Sequence, residues 1–552
     1  MTGEILSVLR NAEQKRQAAL EDRILCCTVA GCLSGGAERV RGSIHKEIEA
    51  RGRSGKVEVC GTGCLGLCSQ GPLVRSSAAD AVFTNVTPED AAGLVSGDLS
   101  KLEDRALRAG HPFYAGQKRI ILANSGRVDP ERFSDYVAMG GYESLLRAAT
   151  EMAPEEIIGE VKKSRLRGRG GAGYPAGLKW ELVARQPSPT KYVVCNADEG
   201  DPGAFMNRSV LEGDPHRVLE GMAIAGRAVG AQQGYIYARG ESPLAIARLR
   251  TALEQAQREG LLGGRMFDSN YQFRIDLRIG AGAYVCGEET ALLASIEGKR
   301  GQPVPRPPYP PESGLWGNPT LINNVETFAN IPTILEMGGE AFASIGARNS
   351  PGTKIFALAG RVVRAGLVEV PIGTSLRTIL YELGGGVPPG YEFKAAQTGG
   401  PAGGCIPSQY LDLPMDYDSL TSIGTMMGSG GLIVLDTSSC MVDLARFFME
   451  FCMDESCGKC IPCRAGTVQM HDILSRMTRG EGVEGDFAML EQLCGLLTET
   501  SLCGLGLAAP NPVISTLRHF RREYEAHVRE RRCPAGHCDI PARIQEAAEA
   551  IA

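Results

Sequence analysis

Glu455-Ser-Cys-Gly-Lys-Cys-Ile-Pro-Cys-Arg-Ala-Gly466 carries three thiols at C-x2-C-x2-C spacing, Cys457, Cys460 and Cys463, and a fourth, Cys503, follows in Ser501-Leu-Cys-Gly504. Three thiolates so spaced can wrap one face of a cube-shaped cluster while a distant fourth closes it, the way four cysteines hold a 4Fe-4S centre. Zinc is the rival for any four thiolates, but zinc sites more often use two C-x2-C pairs than a triplet. Four buried apolar cysteines are a poor alternative, because Gly458, Lys459, Pro462 and Arg464 make a polar, turn-rich loop. From Met441 through about residue 530 the apolar spacing is helical with Gly punctuation, so the motif is expected on a helical bundle spanning 431–530.

Upstream, Gly168-Arg-Gly170-Gly171-Ala-Gly173 satisfies G-x-G-x-x-G, a weak signal taken alone. It follows an expected helix, Glu155 to Lys163, where an ordinary dinucleotide fingerprint follows a strand. However, a buried strand at Lys191-Tyr-Val-Val194 runs into Asn196-Ala-Asp198-Glu199-Gly-Asp201. Glycines let backbone N–H groups approach a phosphate, and a carboxylate can bind ribose hydroxyls. The bland alternative is a solvated turn followed by an Asx-rich loop.

The wider pattern favours a layered fold. Expected strands at Arg119-Ile-Ile-Leu122, Lys191 to Val194 and Gly234-Tyr-Ile-Tyr237 alternate with helices at Glu155 to Lys163 and Pro215 to Val229, which is α/β patterning. Prolines 303, 305, 307, 308, 310 and 311 are too close for helix or ladder. Lys354 to Leu358 and Leu367 to Val370 read as strands around a helix at Ser375 to Leu383, a small α+β module, and 100–120 reads as a linker.

The chain has 552 residues, 18 Cys, 70 Gly and a formal charge of −6. At about 150 residues per domain it has length for three or four cores, which excludes a small disulfide scaffold. The mild acidity gives no electrostatic reason to expect nucleic acid. No stretch approaches the roughly 18–20 apolar residues of a membrane helix, and residues 1–15 lack the apolar core of a leader, so a cytoplasmic protein is expected. There the thiols read as metal ligands, redox groups or small buried side chains.

The string Glu455 to Gly466 resembles the flavoprotein subunit of respiratory complex I and its soluble relatives, the diaphorase subunits of NAD-linked hydrogenases and formate dehydrogenases. Leu166-Arg-Gly-Arg-Gly-Gly-Ala-Gly-Tyr-Pro-Ala-Gly-Leu-Lys-Trp180, Gly280-Ala-Gly-Ala-Tyr-Val-Cys-Gly-Glu-Glu-Thr290 and Leu321-Ile-Asn-Asn-Val-Glu-Thr327 occur in the same order as in that family, so the resemblance covers about residues 115–530. It implies a Rossmann-like FMN and NADH domain over 106–345. It also implies that Gly168, Gly170, Gly171, Gly173, Tyr174 and Lys179 contact the flavin phosphate and nicotinamide side, and that Asn196, Asp198 and Glu199 line the pocket. Tyr284, Gly287, Glu288 and Glu289 would lie along flavin and NAD(H), and Asn323, Asn324 and Thr327 would hold phosphate or ribityl groups. Glu199, Glu288 and Glu289, with Asp201, are assigned to orientation and product expulsion, because hydride transfer needs no protein acid or base. Tyr174 stands where relatives usually have Phe, and Ala294 where they have Glu or Asn; Cys195 and Cys286 are assigned no chemistry.

Near the start, Cys27-Thr-Val-Ala-Gly-Cys32 and Cys64-Leu-Gly-Leu-Cys68 place two thiols in each of two loops, which suits a 2Fe-2S cluster; Cys26 and Cys60 are rival ligands. The pattern resembles the thioredoxin-like ferredoxin and the first segment of bifurcating-hydrogenase diaphorase subunits, implying a domain over 1–105. Some formate dehydrogenase relatives keep the domain without its cluster, but all four thiols are present here. A ubiquitin-like, SLBB-type α+β domain over 346–430 is implied as well. In the tail, 531–552, Cys533 and Cys538 with His527 and Cys440 make a candidate zinc site, in which His537 could displace His527. The resulting expectation is an NADH:acceptor oxidoreductase (diaphorase) subunit whose FMN exchanges hydride with NAD(H) and passes electrons to or from iron–sulfur and catalytic partner subunits. The alternatives are the same module in a formate dehydrogenase, bifurcating hydrogenase or ring-reductase complex, or a non-catalytic electron-transfer scaffold.

Overall fold

The computed structural model describes residues 1–108 and 110–541, so the tail expected over 531–552 is described as far as residue 541 and 542–552 lie outside it. At the centre, strands Arg274–Gly280, Gln233–Arg239, Tyr192–Ala197 and Thr320–Asn324 form a sheet in that order, every pair parallel. Parallel neighbours need crossovers, and a sheet covered on both faces reads as a continuous apolar run. Val193, Val194 and Cys195 are accordingly all fully buried. Helix Pro215–Val229 is buried nearly all round. It packs on helix Val325–Met337 at Gly221, where a Cβ would collide with the Phe328 carbonyl. The strands end at Ala197, Arg239, Gly280 and Asn324, and the C-terminal edge of a parallel sheet is where such folds bind ligands.

The N-terminal sheet has the order Val57–Thr62, Asp22–Cys27, Val74–Ser76, Ala81–Phe83, Ala106–Arg108. Its first pair is parallel and the others antiparallel. Helix Ala37–Ala50 crosses between the parallel strands and turns Val40, Ile44 and Ile48 inward at four-residue spacing. A third sheet runs Gly366–Pro371, Thr353–Gly360, Gly431–Asp436, Phe393–Thr398, Cys405–Pro407, with Thr378–Leu383 as a π-helical turn where a helix is expected. Helices Met441–Asp454, Ile461–Thr478, Gly485–Thr500 and Asn511–Val528 then bury Met449, Leu474, Leu490 and Val513 in one core.

Three expectations are corrected. The helical bundle expected from residue 431 begins at Met441, because Gly431–Asp436 pairs between Thr353–Gly360 and Phe393–Thr398 in the third sheet. Arg119 to Leu122 is not a strand: the Ile120, Ile121 and Leu122 N–H groups donate to the Glu369 carboxylate at 3.0, 3.0 and 2.8 Å, which replaces a ladder partner. The linker at 100–120 is partly regular, because Ala106–Arg108 pairs with Ala81–Phe83 and Pro112–Ala115 is a helical turn.

Candidate functional site

A cleft opens at the C-terminal edge of the parallel sheet. Eight of the residues expected to bind cofactor line it: Gly170, Asn196, Asp198, Glu199, Tyr284, Gly287, Glu288 and Asn324. Glu199 accepts from the N–H groups of Asn207 (2.9 Å) and Arg208 (3.0 Å) at the start of helix Met206–Gly213, and burial raises its pKa. Asp201 accepts from Tyr284 Oη at 2.6 Å and Ser429 Oγ at 3.1 Å and is likewise raised by burial. Asp198 is pushed up to about 7 by burial, against the pull of Arg239 at 3.3 Å, and its Oδ2 is buried with no hydrogen-bond partner among the described residues. A buried acceptor without a donor is costly unless a ligand supplies one. That orphaned oxygen, between a glycine loop and strand-end amides, fits a polar cofactor such as FMN.

Other expected residues have protein partners outside the cleft lining. The Thr327 hydroxyl accepts from Arg169 N at 2.8 Å, and the Asn323 amide oxygen accepts from Trp180 Nε1 at 2.9 Å. Gly168 N–H donates to the Tyr174 carbonyl at 2.8 Å, closing the glycine loop on itself around Gly171 and Gly173, both at positive φ. Lys179 Nζ lies 6.0 Å from the exposed Tyr174 ring and 3.5 Å from Glu289, which also pairs with Arg306 at 2.6 Å. Glu288, which lines the cleft, also caps helix Glu289–Ile296, accepting from Thr290 N and Ala291 N at 2.9 Å. Sequence reasoning missed Asn207, Ala402, Ser429, Gly504 and Leu505, which also line the cleft. The glycine run at Gly428-Ser-Gly-Gly431 is the signal that could have found Ser429.

Cys457, Cys460, Cys463 and Cys503 enclose a small void together with Val285, Pro303 and Leu505. Helices Ile461–Thr478 and Gly504–Ala508 start at Cys460 and Cys503, so their free N–H ends face this void, where they favour negative charge. Burial nevertheless raises Cys463 to about 11 and raises Cys503. Four thiols around one small void suit a group that takes them as thiolates. Glu455 holds Tyr284 N at 2.9 Å, and Lys459 Nζ donates to the Pro303 carbonyl at 2.5 Å, so the cysteine loop is tied to the cleft and to the proline loop.

In the N-terminal region Cys64 Sγ lies 3.8 Å from Cys68 Sγ, and Cys27 interacts with Cys32 and Cys64. Strand alternation separates the rivals: Cys27 packs with Cys32 and Cys64, whereas Cys26 faces Ile24 and Val40 in a different core cluster. Cys60 sits 3.6 Å from Arg23 Nη2.

The tail brings Cys440, His527, Cys533 and Cys538 together, with ligand atoms all within 4.8 Å of one another. His527 Nδ1 bonds the Glu523 carbonyl at 2.7 Å, which leaves Nε2 free to face Cys440 Sγ at 3.6 Å. His537 turns instead to Asp443 at 3.1 Å, so the substitution considered for it does not occur.

Comparison with known proteins agrees with this geometry. Residues 161–333 match the Nuo51 FMN-binding domain, and 443–527 match the NADH-ubiquinone oxidoreductase-F iron-sulfur binding region. The chain is 53% identical over 422 residues to the NADP-reducing hydrogenase subunit HndC of Solidesulfovibrio fructosivorans, covering 76% of this chain and 86% of that protein. It is 46% identical over 415 residues to an NADH-quinone oxidoreductase subunit of Rhizobium meliloti, covering 75% of this chain and 99% of that one. The crystal structure of an NAD+-reducing NiFe-hydrogenase in its H2-reduced state superposes with a TM-score of 0.67 at 26% identity, covering 95% of this chain and 90% of the other. A Rossmann-like cleft that fits a flavin, joined to a helical four-cysteine centre, and relatives of this identity and coverage lead to one statement: the chain belongs to the Nuo51 family of flavin and iron–sulfur oxidoreductase subunits.

Proposed function

We propose that this chain is the diaphorase subunit of a larger redox complex, exchanging hydride with NAD(H) in the cleft and passing single electrons through its cysteine centres to or from partner subunits. The observation that carries the reading is a shared wall: Val285 and Leu505 line both the cleft and the void between the four thiols. The two sites are thus one layer of side chains apart.

Bound FMN supplies the exchange between a two-electron hydride and single electrons. Gly170, Asn196, Asp198 and Asn324 would hold it, Asp198 through its unpaired Oδ2. Glu199 and Asp201, fixed by helix N–H groups and by Tyr284, hold the acidic wall in place and orient the nicotinamide. Cys457, Cys460, Cys463 and Cys503 hold the 4Fe-4S centre. Cys27, Cys32, Cys64 and Cys68 hold a 2Fe-2S centre in a thioredoxin-like domain, a reading supported by the parallel–antiparallel N-terminal sheet and by two thiol pairs in loops. The third sheet is read as the SLBB-type module. Cys440, His527, Cys533 and Cys538 hold structural zinc, since three thiols and one imidazole are a common tetrahedral donor set. No described helix is long and apolar enough to cross a membrane. We place the chain in the cytoplasm, with hydrogenase, formate dehydrogenase or quinone-reductase subunits as partners.

The test is anaerobic reconstitution with FMN, iron and sulfide, followed by NADH-driven reduction of ferricyanide or a viologen. Absence of reduction in protein that holds its flavin would leave the scaffold alternative. Changing Cys457 to Ser should abolish the 4Fe-4S signal in electron paramagnetic resonance while FMN stays bound; loss of flavin with the signal intact contradicts the assignment. Equal zinc content in a Cys533→Ser protein and its parent sinks the tail site.

A further inference from the structure

Arg119 is an unusual cation. Its Nε and Nη2 are shut off from water and have no hydrogen-bond partner, and it makes no ion pair within 4 Å among the described residues. Its guanidinium lies over the Tyr114 ring, 4.7 Å from the centroid. Glu369, a carboxylate whose charge it feels, is already occupied by the N–H groups of Ile120, Ile121 and Leu122 and by the Thr353 hydroxyl at 2.5 Å. Burying an arginine with unmet donors is expensive, and the side chain cannot escape by losing its proton. Glu369 supplies one negative charge within reach but no hydrogen bond, so a second negative group nearby would stabilise this cation further.

The surroundings identify it. Tyr114 Oη donates to the Leu65 carbonyl at 3.1 Å, and the Phe113 ring lies against Gly66, where a Cβ would meet it at 2.9 Å. Both contacts fall on the loop Cys64-Leu-Gly-Leu-Cys68. The same loop is held from behind by the third sheet, through Leu367 N to the Gly66 carbonyl at 2.8 Å and Ser69 N to the Ala365 carbonyl at 3.0 Å. Arg119 thus stands one aromatic ring away from the loop that carries the second thiol pair, outside the N-terminal sheet, and Cys64 is among the groups its charge reaches.

We propose that Arg119 is the fixed countercharge of the N-terminal cysteine centre, raising that centre's reduction potential. The inference rests on the 2Fe-2S reading above. Adding one electron adds one negative charge beside a cation that stays protonated, so the reduced state is favoured; no bond changes and no proton moves at Arg119. Net charge near the sulfurs is one of the levers that set such potentials. Arg119 acts here as a positioning residue for charge, without touching substrate.

The experiment is a redox titration of the anaerobically reconstituted full chain, with dithionite as reductant and ferricyanide as oxidant, each centre read by its own paramagnetic resonance signal. In Arg119→Gln the reduced-to-oxidised ratio of the 2Fe-2S centre at the parent's midpoint should fall about tenfold, about 59 mV for one electron. Arg119→Lys, which keeps the charge, should stay at the parent value, and the 4Fe-4S midpoint should not move in either protein. Arg119→Met, filling the same slot beside Tyr114, replaces the glutamine variant if that one fails to hold iron, with the same shift expected. A parent-like midpoint in the neutral variants overturns the proposal. So does an equal shift in Arg119→Lys, which would assign the effect to packing. A parent protein with iron and sulfide but no 2Fe-2S signal would overturn the cluster reading itself, an outcome distinct from either.

Discussion

Asp198 shows how one side chain sets the character of the cleft. Its carboxyl is lifted from 3.8 to about 7 by burial, with Arg239 opposing and Glu241 and Glu455 reinforcing the rise. Between those two values the folded state keeps a proton that the unfolded chain has released. The flavin-free protein should therefore lose stability as pH rises from about 4 to 7, by at most about 4 kcal/mol. Asp198→Asn removes the titration, so its melting temperature relative to the parent should climb between pH 5 and pH 7.5; a difference that stays constant with pH sinks the prediction. The sequence pointed to Asp198 through Asn196-Ala-Asp198-Glu199, but it could not separate the roles of the acidic residues. Glu288 is occupied as the cap of its own helix, and Glu289 by Lys179 from helix Ala176–Ala184 and Arg306 from the proline loop, an approach no local pattern encodes. The four thiols around Cys457 were legible because three of the ligands are fixed by local spacing.

At the scale of elements, two helical glycines make opposite predictions although the sequence presents them alike. Gly221 lies in helix Pro215–Val229, where a Cβ would run into the Phe328 carbonyl of the neighbouring helix. Gly42 lies in helix Ala37–Ala50 with open space around the same position. Gly221→Ala should destabilise by about 1–3 kcal/mol through overpacking. Gly42→Ala should stabilise by about 0.5–1 kcal/mol, because alanine loses less backbone freedom in a helix. Urea unfolding followed by far-UV circular dichroism reads both, and equal signs would contradict the packing described. The apolar pattern located helices Pro154–Lys163 and Pro215–Val229 and the central strands Tyr192–Ala197 and Gln233–Arg239, whereas strands Arg274–Gly280 and Thr320–Asn324 were not read from it. It misled at Arg119-Ile-Ile-Leu122, where an apolar run satisfies its backbone through the distant Glu369 carboxylate.

Across the whole molecule, the N-terminal sheet is held by charged side chains reaching over long sequence distances. Arg23 joins Glu58 at 2.9 Å and Asp135 at 2.6 Å, while Glu212 accepts from Ala30 N at 2.9 Å and Arg248 donates to Thr28 Oγ1 at 2.7 Å. Thus the first cysteine loop is gripped from helix Met206–Gly213, whose other end positions Glu199 in the cleft, and the second from the third sheet. Nothing in local composition announces these pairings, since each depends on which surfaces the completed domains present.

Glu369 is the most concentrated of these contacts, a fully buried carboxylate accepting three backbone N–H groups and the Thr353 hydroxyl. Replacing it with glutamine keeps the volume but removes the charge and turns an NH2 group toward N–H donors. A loss of about 2–3 kcal/mol is expected, as for breaking a charge-assisted buried bond. The loss should appear locally, because the donors lie in the connection that braces the Cys64–Cys68 loop. In Glu369→Gln, hydrogen exchange should quicken at residues 120–122 and at Gly66 to Ser69, while the core of helix Ile461–Thr478 keeps its parent rate. Uniform quickening across both regions would show that Glu369 supports the fold as a whole and does not specifically brace the N-terminal cysteine loop.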